Sequence, residues 1–263
     1  MSAPVVATIG TTHPLAFAGL VFAALALADE GARPVCIVAG VSAQNAGGVV
    51  AARGVDPELI AAQFAALGDA RVAAFHVGAL VSTDGVRAVA DGLAAFEGVP
   101  VVVDPVLAAS TGDRLGEPGV RDALRDALFP HATLVTPNLD EASALLGRPV
   151  QDAAGMREAA VALLEWGSAA VLIKGGHLEG DAIDVLADAS GVRSFATARV
   201  AMTMRGTGDL LATTIATGLA RGMPLASAIL RARARVARAI ADGVPFAGAR
   251  VAPLGTGASA PGD

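Results

Sequence analysis

The chain is short of cysteine and of aromatic residues, and both scarcities limit what it can be. Cys36 is the only cysteine among 263 residues, which excludes a disulfide framework. It lies in the apolar run 35–38, so we expect a buried strand residue there. Aromatic residues make up 3% of the chain and tyrosine is absent, a composition typical of GC-rich genomes that indicates nothing about function.

Basic residues are missing from the amino-terminal segment. No lysine or arginine precedes Arg33, which argues against a secretory signal. The apolar run Leu15–Ala28 is unbroken, but it is shorter than the roughly 20 residues that span a bilayer. We expect a helix there that is buried on most sides, in the core or at a subunit interface. The chain is predicted to be cytoplasmic and not to bind membranes.

Acidic residues outnumber basic ones, and the net charge is −6. One basic run stands out at residues 231–238, where arginines alternate with apolar residues on a predicted helix. We interpret this run as a solvated helix face and expect no nucleic-acid partner.

Short apolar runs alternate with helical patterns through most of the chain. The runs predicted as strands are Val5–Ile9, Val35–Val38, Val72–Phe75, Val101–Val103, Thr133–Val135 and Ala170–Ile173. Most are rich in valine and isoleucine, as expected for strands buried on both faces of a parallel sheet. A hairpin is predicted within residues 184–196. The pattern predicts an α/β fold with a doubly wound, mostly parallel sheet and ligands at the carboxyl ends of its strands.

The domain organisation follows from the same pattern. We predict a single domain over residues 1–243 and a tail without regular structure, rich in Gly, Pro and Ala, over residues 244–263.

The most informative stretch is Gly206-Thr207-Gly208-Asp209, which lies where a loop turns into a helix. Its two glycines let a phosphate approach the exposed N–H groups of the helix start. Asp209 would lie beside that phosphate and, with a reference pKa of about 4, would be ionised and able to accept a hydroxyl proton. An ordinary helix cap is the alternative interpretation of these four residues taken alone.

Three further segments follow predicted strands and carry groups suited to a nucleotide and a metal ion. Asp104 suits Mg²⁺ or its waters, with a turn or helix cap as the alternative. Asn138 and Glu141 are oxygen donors three residues apart at a helix start, and they fit a capping box equally well. Lys174 can reach nucleotide phosphates, or it simply leaves its strand for solvent. His177 in the loop behind it is interpreted as a surface histidine.

In order and spacing, these segments resemble the ribokinase-like superfamily over residues 5–240. The resemblance is closest to the hydroxymethylpyrimidine and phosphomethylpyrimidine kinases, with the pyridoxal kinases next. The segments that carry it are Val41–Asn45, Gly78–Leu80, Val102–Val106, Thr136–Ala142, Leu172–Leu178 and Gly206–Asp209.

The resemblance implies a site for ATP and Mg²⁺ and a homodimer. It implies that Gly206, Thr207 and Gly208 form an anion hole, with Asp209 activating the substrate hydroxyl. It assigns nucleotide binding to Lys174, Asn138 and Asp104, and the metal to Glu141 and Asp104. It assigns substrate contacts to Gln44, Gly10, His13, Leu80 and Val106.

Several positions depart from the pattern of the pyrimidine kinases. Those enzymes usually carry cysteine where this chain has Asp209, whereas aspartate is commoner in pyridoxal kinases and ribokinases. Their first loop is small and contains an aspartate, but residues 10–19 of this chain are bulky and lack a carboxylate. Ala23 and His76 replace an acidic and a basic residue of the family. These departures concern the substrate pocket more than the phosphate site.

The sequence therefore predicts an ATP-dependent kinase acting on a hydroxymethyl group of a small heterocycle, as hydroxymethylpyrimidine (phosphate) kinases do. A pyridoxine- or pyridoxal-type kinase is the nearest alternative. A non-catalytic ligand-binding protein on the same fold is an alternative of another class, against which the retention of Asp209, Lys174 and Glu141 argues.

Overall fold

Nine strands form one mixed sheet in the part of the chain that the structure, a computed structural model, describes: residues 3–109, 111–176 and 180–254. They are β1 (Val5–Thr12), β2 (Arg33–Asn45), β3 (Gly48–Gly54), β4 (Val72–Val77), β5 (Val101–Val103), β6 (Leu134–Val135), β7 (Ala170–Gly175), β8 (Ala182–Asp188) and β9 (Gly191–Thr197). Their order across the sheet is β3-β2-β1-β4-β5-β6-β7-β8-β9. The six central strands, β2-β1-β4-β5-β6-β7, run parallel to one another. β3 at one edge of the sheet, and β8 and β9 at the other, pair antiparallel with their neighbours.

Helices cover both faces of this sheet. They are α1 (Gly19–Asp29), α2 (Pro57–Ala65), α3 (Thr83–Ala94), α4 (Val120–Ala123), α5 (Leu139–Leu146), α6 (Ala153–Leu164), α7 (Thr207–Ala220) and α8 (Leu225–Asp242). On one face, an apolar cluster joins Leu27 of α1, Ile215 of α7 and Ile229 of α8 to strand residues such as Leu172. Side chains of α2 to α6 form the cluster on the opposite face.

The predicted α/β architecture is confirmed, including all six strands expected from apolar runs and the hairpin that becomes β8 and β9. Strands such as β5 are continuous apolar runs because helices bury them on both faces. The parallel strands bring their carboxyl ends to the same end of the sheet, where Asp104 follows β5, Asn138 follows β6, and Lys174 is the second-last residue of β7. His177 lies outside the described residues.

One expectation about burial is wrong, and a second is not met within one copy of the chain, which leaves burial at a subunit interface as a prediction. Cys36 lies in β2 as predicted but is exposed, because side chains alternate along a strand and its neighbour Ile37 takes the buried position. The apolar run Leu15–Ala28 begins its helix only at Gly19. Val21 and Leu25 are each 43% exposed, so this helix is not buried on most sides within one copy of the chain. Among the described residues, no helix combines the length and apolarity needed to cross a membrane.

The carboxyl-terminal segment also differs from the expected loop. β10 (Val244–Phe246) and β11 (Ala249–Val251) pair antiparallel as a hairpin. Residues 255–263 of the predicted tail lie outside the described part, and the division of the chain at residue 243 stays a prediction.

The arginines of residues 231–238 are engaged within the molecule. Arg231 pairs with Glu30, and Arg235 pairs with Asp29 and Glu30 at the end of α1. Arg233 is buried and binds Asp184 at 2.8 Å, so the expected solvated face is wrong at this position.

Candidate active site

Asp209 lies in the first turn of α7, at the edge where the parallel strands end. Gly206 precedes the helix with a φ of 77°, and a Cβ atom there would lie 2.5 Å from the carbonyl oxygen of Phe17. Only glycine fits this position without strain. The buried Asp209 carboxylate accepts a hydrogen bond of 2.9 Å from the N–H of Gly19, which starts α1. The helix start therefore has the form that the sequence predicts.

Gly208 brings this helix start against the ends of β5 and β7. A Cβ atom on Gly208 would lie 2.7 Å from Asp104 Oδ2 and 3.2 Å from Lys174 Nζ. Any larger residue would push these groups away. The structure thus joins three segments that the sequence singled out separately: Asp104, Lys174 and Gly206–Asp209.

The Lys174 ammonium lies between two carboxylates and does not point to solvent. Its Nζ is 2.6 Å from Asp104 Oδ1 and 3.9 Å from Glu141 Oε2. The Thr136 hydroxyl donates a 3.0 Å hydrogen bond to the same Asp104 oxygen. Burial opposes the charged ammonium, but Asp104 and Glu141 outweigh it and raise the pKa of Lys174. Lys174 is therefore positively charged at neutral pH and lies beside the amino-terminal end of α7, an arrangement suited to binding phosphate.

Asn138 and Glu141 form the capping box that the sequence allowed. Asn138 Oδ1 accepts the N–H of Glu141 at 2.8 Å, and Glu141 Oε2 accepts the N–H of Asn138 at 2.7 Å. The cap uses one of the two lone pairs of the Asn138 oxygen, so a contact of this residue with a nucleotide stays a prediction. The Glu141 carboxylate also has a second partner, because it faces the ammonium of Lys174. Burial raises the pKa of Glu141 to about 7, with Lys174 opposing and Asp104 reinforcing the shift.

Asp209 does not keep the ordinary carboxylate pKa that the sequence suggested. Burial raises its pKa to about 6, and the nearby charge of Asp104 adds to this effect. The Gly19 N–H and Lys174 favour the ionised form and limit the shift. Asp209 is thus a stronger base than an exposed aspartate, yet it remains mostly ionised at pH 7.

His76 is a neighbour of the site that sequence analysis noted only as a departure from the family. It is buried in β4, and its Nδ1 lies 3.0 Å from Thr8 Oγ1. A Cβ atom on Gly78 would lie 3.5 Å from His76 Cε1 and 3.4 Å from Asp209 Oδ1, so both side chains flank Gly78. Burial lowers the pKa of His76 to about 4, so the ring is neutral at pH 7. The one feature of the sequence that could have pointed to His76 is its position as a single histidine within the apolar strand β4.

The predicted substrate residues fall into two groups. Gly10 and Leu80 lie on adjoining segments, which the hydrogen bond from Thr11 N–H to Ala79 O joins at 2.9 Å. His13 is buried beside Gly19, and Val106 is half-buried two residues after Asp104. Gln44 is separate, because it lies half-buried on the antiparallel ribbon of β2 and β3.

The carboxyl-terminal hairpin contacts the segments that carry the predicted substrate residues. The ring of Phe17 lies 5.9 Å from that of His13 and 6.1 Å from that of Phe246 in β10, measured between centroids. Arg205 donates its backbone N–H to Arg250 O at 2.9 Å and a guanidinium hydrogen to Ala46 O at 3.1 Å. The hairpin, the first loop and the tip of the β2–β3 ribbon are therefore connected, which no sequence motif indicated.

Comparisons with known proteins agree with this geometry. The family model described as phosphomethylpyrimidine kinase matches residues 18–254. A hydroxymethylpyrimidine/phosphomethylpyrimidine kinase of Streptomyces coelicolor is 36% identical over 247 residues, which cover 93% of this chain and 91% of the relative. The bifunctional thiamine biosynthesis protein ThiED of Geobacter sulfurreducens is 40% identical over 207 residues, or 78% of this chain, and the match spans only 42% of that longer protein.

A solved structure shows the same fold. The ADP complex of Bacillus subtilis pyridoxal kinase superposes with a TM-score of 0.86 at 25% identity, covering 95% of this chain and 97% of that one. The ribokinase-like expectation is thereby confirmed. The chain is an ATP-dependent small-molecule kinase, and it belongs to the phosphomethylpyrimidine kinase family.

Proposed function

We propose that this kinase transfers the γ-phosphoryl group of ATP to a hydroxymethyl group on a pyrimidine ring, as in hydroxymethylpyrimidine or its phosphate. The observation that carries the proposal is the buried carboxylate of Asp209 at the start of α7, next to Gly208 and the paired Lys174. A base, an anion-binding helix start and a fixed cation are the groups that phosphoryl transfer to an alcohol needs.

The proposed mechanism gives each of these groups one task. Asp209 accepts the hydroxyl proton late in a loose transition state, as the oxygen–phosphorus bond forms and the bond to ADP breaks. The N–H groups of residues 206–209 and the Lys174 ammonium stabilise the charge on the transferring phosphoryl oxygens. The raised pKa of Asp209, about 6, brings the base closer to the operating pH, which favours general-base catalysis.

The residues around Lys174 fit a magnesium ion bound together with the nucleotide. Three buried carboxylates, those of Asp104, Glu141 and Asp209, surround this one ammonium, so negative charge is in excess. Among the described residues there is no group of three or more acidic, histidine or cysteine ligands built to hold a metal ion. Glu141 and Asp104 would therefore hold Mg²⁺ mainly through water molecules. When bound, the ion would neutralise charge on the nucleotide phosphates.

A pyridoxine- or pyridoxal-type kinase is the second candidate, and the first loop favours it. His13 and Phe17 are buried bulky residues, and Ala23 is buried where a family carboxylate would stand. Such a pocket gives a pyrimidine amino group no carboxylate partner in the first helix. Gln44 can still offer one donor and one acceptor to a ring edge.

We further propose a cytoplasmic homodimer. Support comes from the apolar side chains of Val21 and Leu25, which α1 leaves exposed within one copy of the chain. Sedimentation of the purified protein at micromolar concentration tests this assembly, and a monomer at every concentration would contradict it.

Product analysis tests the proposed reaction. The protein is incubated with Mg-ATP and hydroxymethylpyrimidine, its phosphate, pyridoxine or pyridoxal, and phosphorylated products are identified by mass. ADP formation that depends on a pyrimidine alcohol supports the proposal. Thermal stabilisation by a heterocycle without any phosphorylated product would instead indicate a binding protein.

A further inference from the structure

A second buried ion pair lies beside Lys174 on the same face of the sheet. In the antiparallel pairing of β7 and β8, Lys174 stands directly opposite Asp184. Residues opposite each other in a sheet point to the same face, with Cβ atoms about 5 Å apart. Asp184 is therefore a carboxylate that the flexible Lys174 side chain could reach.

Asp184 forms its ion pair with Arg233 of α8 and not with Lys174. Its Nε lies 2.8 Å from Asp184 Oδ2, and its guanidinium also donates to Ala182 O at 2.7 Å. Both side chains of the pair are buried, with Arg233 and Asp184 each 8% exposed. The other Asp184 oxygen accepts the N–H of Gly175 at 3.0 Å. The carboxylate is thus satisfied by Arg233 on one oxygen and by the backbone next to Lys174 on the other.

The ion pair between Arg233 and Asp184 affects which carboxylate the Lys174 ammonium binds. Lys174 binds Asp104 at 2.6 Å and approaches the start of α7, where a Cβ on Gly208 would lie 3.2 Å from Nζ. A buried carboxylate without a counter-charge strongly attracts the nearest cation, because desolvation makes the unpaired state costly. Without Arg233, Asp184 would face Lys174, a cation that stands directly opposite it in the sheet.

We infer that Arg233 is a positioning residue for the nucleotide: by neutralising Asp184 it keeps the Lys174 ammonium on the side of Asp104 and the α7 start. The inference rests on the proposed role of Lys174 in binding nucleotide phosphate. Arg233 lies on α8 and is buried against the sheet, so it would act on the nucleotide only through Asp184 and Lys174. The ion pair also fixes the Gly175 N–H, and with it the exit of β7 from the sheet.

Paired substitutions test this inference through equilibrium binding of ADP with Mg²⁺, measured by calorimetry. Arg233→Met should weaken ADP binding about 10- to 100-fold, the loss expected when a charged hydrogen bond to the phosphate is removed. KM for the acceptor alcohol should not change. The matched control is Arg238→Met, because Arg238 is exposed on the same helix, and it should bind ADP like the parent protein.

The double variant Arg233→Met/Asp184→Asn separates positioning from a general structural role. It buries no unpaired charge, so it should fold even where the single variant fails, since neutral replacement of a buried ion pair is often tolerated. ADP binding within about threefold of the parent protein would support the inference. Binding as weak as in Lys174→Met would overturn it, because the ion pair itself would then be required.

Failure of the inference can be distinguished from failure of the proposed function. If Lys174→Met binds ADP as tightly as the parent protein, the proposed role of Lys174 is wrong and the inference falls with it. If Lys174→Met loses affinity while Arg233→Met folds and binds normally, only the inference is overturned. A crystal structure of Arg233→Met showing Lys174 bonded to Asp184 would support it directly.

Discussion

Asp209 illustrates how burial adjusts a single residue for the role of base that we propose. An exposed aspartate would be ionised at pH 7 but would be a weak base. Desolvation raises the pKa of Asp209 to about 6, while the Gly19 N–H and Lys174 keep it from becoming a neutral acid. The residue remains ionised at pH 7 and gains basicity, which are the two properties that a general base needs.

Asp209→Asn tests the base directly. The amide keeps the shape but accepts no proton, so turnover should fall by roughly 10²- to 10⁴-fold with little change in ATP affinity. Its thermal stability at pH 8 should match or exceed that of the parent protein. A carboxyl group whose pKa is raised on folding costs stability progressively as pH rises from its unfolded pKa, about 4, to its folded pKa, about 6, so the full cost applies at pH 8. Near-normal turnover in this variant would remove Asp209 from the mechanism.

The pH dependence of the reaction follows from the same pKa. The base must be ionised, so kcat/KM for the acceptor should fall as pH drops below about 6, by about tenfold per unit. An unshifted aspartate would lose activity only near pH 4. The profile should be measured in parallel for Glu141→Gln, because the pKa of Glu141 is also raised, to about 7. Loss of the acidic limb in that variant would assign it to Glu141 instead.

The sequence predicts individual site residues where the neighbouring residues in the chain mark them. Gly206–Asp209, Asp104 and Lys174 could be found because each stands where a strand or a helix boundary is readable from neighbouring residues. His76 was noted only as a departure from the family, and the pair of Asp184 and Arg233 was not found. Their importance depends on partners 49 to 68 positions away, such as Thr8 for His76, and no local pattern records such contacts.

At the scale of elements, the sequence revealed the strands inside the sheet from their apolar runs and the hairpin of β8 and β9 from its turn. β3 was missed because it is an edge strand whose residues are mostly exposed, so its composition resembles a loop. β10 and β11 have three residues each and no fully buried side chain. Their pairing depends on contacts with Phe17 and Arg205 from other parts of the chain. Apolar periodicity cannot report strands of this kind.

The start of α5 carries both a structural cap and a proposed metal contact, and two substitutions separate them. Glu141→Gln keeps an oxygen for the Asn138 N–H but removes the charge, so the Mg²⁺ concentration for half-maximal rate should rise about tenfold. Asn138→Ala removes the cap and should cost about 1 kcal/mol of stability without altering the Mg²⁺ titration. If Glu141→Gln changes only thermal stability, Glu141 serves the cap alone.

In the whole molecule, the two sides of the site are built differently. The phosphate side comes from the ends of buried strands and the start of α7, all held by the central core. The proposed acceptor side comes from the first loop, the β2–β3 ribbon and the carboxyl-terminal hairpin, which meet through Phe17, Ala46 and Arg205. These peripheral segments can change without disturbing the core, so substrate choice can vary while the chemistry is kept.

Substrate preference should therefore show what the altered first loop does. The buried side chains of His13, Phe17 and Ala23 offer no carboxylate to a ring amine. A lost charged hydrogen bond of roughly 1.5–3 kcal/mol corresponds to about 10- to 100-fold in kcat/KM. We expect weaker use of hydroxymethylpyrimidine than in typical family members, and better use of a ring with less polar substituents. The measurement is kcat/KM for hydroxymethylpyrimidine, pyridoxine and pyridoxal under identical Mg-ATP. A strong preference for hydroxymethylpyrimidine would show that the loop does not set specificity, and that Gln44 or another group replaces the missing carboxylate.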